Sequence, residues 1–439
     1  MRAVGLFSVS MLHIVAYFAF IVLGIPDGML GVAWPSMSSE FSRPLGALGI
    51  LLSGFTVGYL ATTAAAGLLV NKLGYARHLI ISGFLMTLGA GGIAFAFGWI
   101  PVVVGAGVLG AGAGMLDGGL NAYAAERFRP RDLNWLHAAY GVGATVGPLL
   151  MTPIVASSLS WRVGYVVFGL CAAAMMVAFA VSRGLWGTQP QHRQHAPRAE
   201  PAAGVEAAPV VEAAPGVEPA PGAQETMRPD SPIYSASASS HEKTPSTGDR
   251  AMSVIFGSLL VFFLYTGLEV VAGQWSFALF TVSRGIEAST AGPWVAMYWG
   301  ALTAGRVAFG WISERFPSNT LLRGNSALAG LAIVLLWIGT PPFLGAVGLA
   351  ILGFSLAPMF PLLIGLTPQR AGPARSAHVV GLQIAASNIG AVSLVGLVGL
   401  LVERLGLEVI GPALFVNALL FVLVNELVAR LSRESDQLL

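Results

Sequence analysis

Three carboxylates lie where a carboxylate is costly: Asp27, Asp117 and Glu269 each fall well inside a long apolar stretch. Insertion scales put a charged side chain at the centre of a bilayer at ~2.5–3.5 kcal/mol, so an acid there marks a functional site by default. Such a group can take up and release a proton, or accept hydrogen bonds from a polar solute. Asn121 follows Asp117 by one helical turn, and glycines at 105, 107, 110, 112, 114, 118 and 119 thin one face of the same stretch. Neighbouring helices can approach such a face closely. At 1.5 Å per residue, Asp27 lies about 24 Å beyond Met11, and Asp117 lies about 24 Å from Pro101, counted from the opposite face. In an apolar core ~30 Å thick, Asp27 is then in the outer half and Asp117 in the inner half. A pair staggered in this way can expose protons to opposite sides in turn. The competing reading is that the acids only hydrogen-bond neighbouring helices.

Neutral polar and aromatic residues accompany them. Asn134, His137 and Gly141 recur at successive turns; Gln383 and Ser387 are four apart, with Asn388 adjacent; Gln274-Trp275 and Tyr298-Trp299 add amides and rings. Paired donors and acceptors beside flat apolar faces suit a neutral polyol such as a sugar. Glu269 reads as a polar ligand in the same cavity rather than as a proton carrier. His137 is open to two readings, a proton relay or a hydrogen-bonded structural histidine. Gly105-Ala-Gly107-Val-Leu-Gly110 fits a dinucleotide fingerprint, but no strand precedes it.

The chain that must position these groups has 439 residues, 55% hydrophobic and 10% charged, with a mean hydropathy of +0.74. A soluble surface calls for about 25% charged residues, so the composition implies a polytopic, all-α integral membrane protein. A net charge of +2 gives no grounds for a nucleic-acid partner. The single Cys171 can form no internal disulfide, and no metal cluster, cofactor motif or nucleophile–base pair points to an enzyme. Twelve apolar windows of spanning length are read, at 8–36, 46–70, 77–98, 101–125, 133–157, 162–183, 252–280, 290–312, 320–340, 342–366, 378–402 and 409–431. Pro35 is expected to mark where the first leaves the membrane. Alternate loops hold Lys72, Arg77, Arg127, Arg129, Arg131, Arg315, Arg323, Arg370 and Arg375 against Arg43, Arg162, Arg284 and Arg404 on the other side. That bias predicts cytoplasmic termini in a plasma (inner) membrane.

Residues 185–250 contain an Ala/Pro/Glu/Val-rich run with no helical or strand period, read as a disordered linker. It separates 1–184 from 251–439, and the two parts echo each other. Asp27 leading to Trp34 matches Glu269 leading to Trp275, while His137, Gly143 and Ala144 match Gln383, Gly390 and Ala391 when one inserted residue is allowed. Two six-helix bundles facing a central cavity, with solute near the midplane, follow from that duplication.

The sequence resembles the major facilitator superfamily. The stretch Gly67 to Arg77, with Asn71, Lys72 and Arg77, resembles the family's cytoplasmic gating motif with Asn71 in the usual place of an acid. Arg306 through Gly310 to Glu314 and Arg315 resembles its counterpart in the second half. Within the superfamily the chain is similar to the fucose permease branch of sugar:proton symporters. That likeness rests on Pro26-Asp27-Gly28, on Gly114 to Asn121, on Leu133 to His137 continuing into Tyr140 and Ala144, on Leu264 to Glu269, and on Gly381 to Gly390. It implies a sugar:proton symporter with Asp117 and Asp27 in sugar binding and proton coupling, and a monomer is expected. Solute binding is then expected at Asp27, Asn121, His137, Tyr140, Glu269, Gln274, Trp275, Gln383 and Asn388. Gly143 to Pro148 also resembles the antiporter motif of span five, which keeps an efflux antiporter as an alternative. A non-transporting membrane sensor is the other.

Overall fold

The computed structural model describes residues 2–187, 247–313 and 315–436. Among the described residues, ten helices are long and apolar enough to cross a membrane. One of them, Leu45–Ala94, is 50 residues long, or about 75 Å, more than twice an apolar core of ~30 Å. It breaks at Gly74, whose φ of 74° favours a residue without Cβ, and therefore makes two crossings. Ala288–Ile312 is less apolar but has 25 residues, enough for a twelfth.

In chain order these are α1 (Arg2–Glu40), α2 (48–73), α3 (75–94), α4 (Trp99–Arg127), α5 (Pro130–Ala156), α6 (Arg162–Val181), α7 (Thr247–Ala278), α8 (Ala288–Ile312), α9 (Ser318–Ile338), α10 (342–371, in two pieces), α11 (Pro373–Leu405) and α12 (Ile410–Asp436). No strand occurs among the described residues. Pro26 and Pro35 both lie inside α1, which runs on through Pro35 to Glu40. Of the expected linker, 188–246 lies outside the described residues, Arg183–Leu185 forms a short 3-10 turn, and 247–250 belongs to α7.

Close helix approach does most of the positioning. A Cβ on Gly143 would stand 1.9 Å from the Ile21 carbonyl oxygen, so α5 lies directly on α1. The matching Gly390 of α11 is held against α7 in the same way, 2.1 Å from the Phe263 carbonyl oxygen. Each bundle is also tied at the end away from the termini. Arg162 opens α6 and donates Nε and Nη2 to Glu40 at the end of α1 (3.0 and 2.7 Å), and Nη1 to the Ala94 carbonyl at the end of α3 (2.8 Å). In the second half Arg284, just past α7, donates to Glu408 before α12 (3.1 and 2.9 Å) and to the Leu336 carbonyl of α9 (2.9 Å). The same three elements are joined in both halves, with acid and base exchanged.

The halves form one compact unit. They meet along α1–α7, α2–α11 and α5–α8, and α4 makes no comparable contact with α10. Gly49 on Gly396 and Gly46 on Gly399 seal the end away from the termini. The cleft between the halves is therefore open toward the end that carries them.

Candidate functional site

Each of the three intramembrane carboxylates is met by a tyrosine hydroxyl. Tyr140 of α5 donates to Asp27 Oδ2 across the seam that Gly143 permits. Tyr59 of α2 donates to Asp117 Oδ2 at 2.6 Å, and Asn121 Nδ2 donates to the other oxygen at 2.8 Å. The thin face of α4 makes the Tyr59 contact possible, since a Cβ on Gly114 would stand 2.3 Å from the Tyr59 carbonyl oxygen. Tyr265, four residues before Glu269 on α7, donates to its Oε2, and Tyr298 of α8 donates to the Glu269 backbone carbonyl at 2.7 Å. Tyr59 and Tyr265 escape the sequence reading as site residues. Tyr265 was within reach through its i, i+4 spacing to Glu269; Tyr59, 58 residues from Asp117, carried no such signal.

Arg306 approaches Glu269 from α8, with Nη2 3.5 Å from Oε1. Expected with the gating segment, its guanidinium instead lies in the interior beside Glu269 and within electrostatic reach of Tyr140. His137 is exposed into the cleft, edge-on to Phe20 at 5.9 Å, and within electrostatic reach of both Asp117 and Arg306. Asp27 in turn lies within reach of Asp117 and of Glu269. Asp27, Tyr140, Asp117, Tyr59, Asn121, His137, Glu269 and Arg306 thus form one polar cluster between two apolar bundles.

Gln274 closes it on the far side. Its Nε2 donates to the Asp27 backbone carbonyl at 2.7 Å across the halves, and its buried Oε1 has no protein partner. Beyond Asp27 on that side is a cavity of about 40 Å³, lined by Asp27, Gln274, Tyr165 and apolar side chains. A water needs ~10–15 Å³ of such space, so a few waters fit there and a sugar does not. A solute must therefore reach the cluster from the open side.

Other expected ligands are placed differently. Gln383 is fully buried within the second half, accepting from Thr367 at 2.9 Å and donating to Ser258 at 3.2 Å. Asn388 donates to the Ile384 carbonyl of its own helix at 2.9 Å. Trp275 is wholly buried against Gly399, its indole nitrogen without a protein partner. Asn71, Lys72 and Arg77 are exposed around the Gly74 break, and Arg315 is exposed after α8. Glu314 and the side chain of Asn134 lie outside the described residues. Among the described residues no group of three His, Cys, Asp or Glu side chains could hold a metal ion.

The family model of the Major Facilitator Superfamily matches residues 16–395. The glucose/mannose transporter GlcP of Bacillus subtilis is 22% identical over 358 residues, 81% of this chain and 79% of that protein. The hexuronate transporter of the same organism is 21% identical over 76% of this chain and 71% of its own length. The crystal structure of the transporter FucP in the outward conformation superposes with a TM-score of 0.54 at 17% identity, covering 96% of this chain and 98% of that one.

Proposed function

The chain belongs to the Major Facilitator Superfamily, a family of membrane transporters rather than enzymes, and we propose that within it this protein is a proton-coupled symporter of a sugar or similar small polar solute. The observation that carries the reading is the cluster itself. Asp27 and Asp117 lie within electrostatic reach of each other, and each bonds to a tyrosine from a second helix, in a cleft open at one end only. The sugar and hexuronate transporters among its relatives support a polyhydroxylated solute.

In this reading Asp117 carries the proton. Its neutral partners Tyr59 and Asn121 can each turn a hydroxyl or amide to suit the charged or the protonated acid. Asp27 couples that proton to the solute, since its Tyr140 partner comes from α5 and its backbone carbonyl is tied to Gln274 of the other half. Closing the open end and parting Gln274 from Asp27 then exposes the cluster to the other side, as rigid-body rocking of two bundles about a fixed site requires. The loop charge bias supports an open end and both termini in the cytoplasm, in an inner membrane, with 188–246 as a tether joining the bundles of a monomer.

The test is uptake of labelled neutral sugars and sugar acids by proteoliposomes, with and without an imposed pH gradient. Accumulation of one of them only with the gradient, acid outside, is the expected result. Gradient-driven expulsion of the same solutes would replace symport with antiport. The glycines of the antiporter-like stretch give that alternative little support, since Gly143 and Gly147 are both used in packing α5 on α1.

A further inference from the structure

Four arginine–carboxylate pairs occur among the described residues, and they are not alike. Arg162 on Glu40, Arg284 on Glu408 and Arg323 on Glu426 are two-pronged, with every contact between 2.7 and 3.1 Å. Arg162–Glu40 and Arg284–Glu408 sit at helix ends, and Arg323–Glu426 joins α9 to α12 with the arginine exposed; exposed ion pairs of this kind contribute little. The fourth, Arg306 on Glu269, lies inside the protein, where poor geometry costs most, yet it is a single contact of 3.5 Å. Glu269 has given its other oxygen to Tyr265. The Arg306 side chain is 30% exposed against 13% for Glu269, so the guanidinium is the member of the pair that faces the cleft. A planar guanidinium matches a carboxylate with two parallel N–H donors; here Glu269 takes one, in a single long contact, and the Tyr265 hydroxyl is the guanidinium's other polar neighbour.

We propose that Arg306 is the anchor for a carboxylate on the solute, so that the site takes a sugar acid, a uronate or a similar polyhydroxy monocarboxylate, in preference to a neutral sugar. This rests on the symport reading above and narrows its solute. The incoming carboxylate takes the two-pronged position that Glu269 fills poorly, while Glu269 keeps the hydroxyl of Tyr265. The negative charge brought in is offset by the proton carried in the same step. His137, exposed on the N-terminal side of the same space and within reach of Arg306, is placed to donate to the sugar ring.

D-glucose and D-glucuronate form a matched pair of probes, differing only in a hydroxymethyl or a carboxylate at C6. Each is titrated into the purified full chain in nanodiscs, with binding read by calorimetry. Charge-assisted hydrogen bonds of ~1.5–3 kcal/mol correspond to glucuronate binding about tenfold or more tighter than glucose. Glu269→Gln releases Arg306 and is expected to tighten glucuronate a further several-fold, a gain that a mere counter-ion role for Arg306 does not produce. Glu269→Gln with Arg306→Gln replaces the ion pair by a neutral one, which guards the fold. It should abolish the preference, read as the ratio of glucuronate to glucose affinity. Glucose binding as well as glucuronate, or a preference that survives in the double variant, overturns the proposal and leaves sugar symport standing. A folded wild-type protein that binds neither probe removes the sugar-type reading as well.

Discussion

With Gly143 set on Gly390, which seat their helices in the same way, His137 of α5 and Gln383 of α11 fall one residue out of register, and they face different surroundings. His137 is exposed into the cleft beside Asp117 and Arg306, whereas Gln383 is fully buried between Ser258 and Thr367. The acids diverge in the same way. The first half holds Asp27 and Asp117 on neutral partners, while its counterpart in the second half, Glu269, shares its place with the permanent cation Arg306. Duplication has kept the helix placement and changed the side chains. In the proposed reading the proton-binding groups belong to one bundle and the fixed positive charge to the other, so that a solute touching both senses the proton.

The largest expected effects come from the seams that the halves share. Gly143→Val and Gly390→Val each force a side chain into a backbone carbonyl, with Cβ at 1.9 and 2.1 Å before the branch is added. Both should abolish folded protein, measured as a monodisperse peak after detergent extraction. Gly67→Ala, with nothing within 4 Å, should stay within ~0.5 kcal/mol of the parent. Unequal losses at 143 and 390 would show that the two seams are not equivalent.

The His137–Gln383 pair comes next. Gln383→Ala leaves Thr367 and Ser258 without their buried partner, at ~1–3 kcal/mol of stability, with solute affinity unchanged. His137→Ala should do the reverse, lowering transport with little change in melting temperature. A Gln383→Ala protein of normal stability and weakened binding would return Gln383 to the solute site.

Smaller effects are expected at the end ties. Arg162→Glu alone loses two bonds to Glu40 and sets two acids together, at ~1 kcal/mol. Adding Glu40→Arg reproduces the arrangement of the second half, with the base on the first helix of the bundle, and should recover most of the loss in a double-mutant cycle. No recovery would mean that the Ala94 carbonyl contact of Arg162, rather than the ion pair, holds the tie. The least effect is expected from removing half of 188–246: if that segment only tethers the bundles, its reach falls only with the square root of its length. Loss of transport from a normally folded shortened protein would give that segment a role beyond tethering.

Much of this was legible in the sequence for physical reasons. Twelve apolar stretches, the duplication and the three interior acids follow from what a bilayer tolerates. The glycines around Asp117 correctly announced close approach by another helix. Partners on the same helix, Asn121 and Tyr265, were within reach of the spacing; Tyr59 and Tyr140 were not legible as partners, because they reach their acids from other helices and sequence spacing says nothing about which helices touch. Gln383 was misleading for a related reason. A polar residue inside an apolar span must find partners somewhere, and neighbouring helices satisfy that need as well as a cavity does. Arg306 was read from a motif at the end of its helix, while its contact is set by a long side chain pointing inward.

The division of labour is tested most directly by Asp117→Asn, assayed on one preparation of proteoliposomes for uptake driven by a pH gradient and for counterflow of labelled solute. The substitution keeps the bonds to Tyr59 and Asn121 within reach but removes the dissociable proton. Gradient-driven accumulation should vanish while counterflow, which needs no net proton movement, persists. Continued accumulation of solute against its gradient, driven by protons, would contradict the account and leave Asp117 a structural residue.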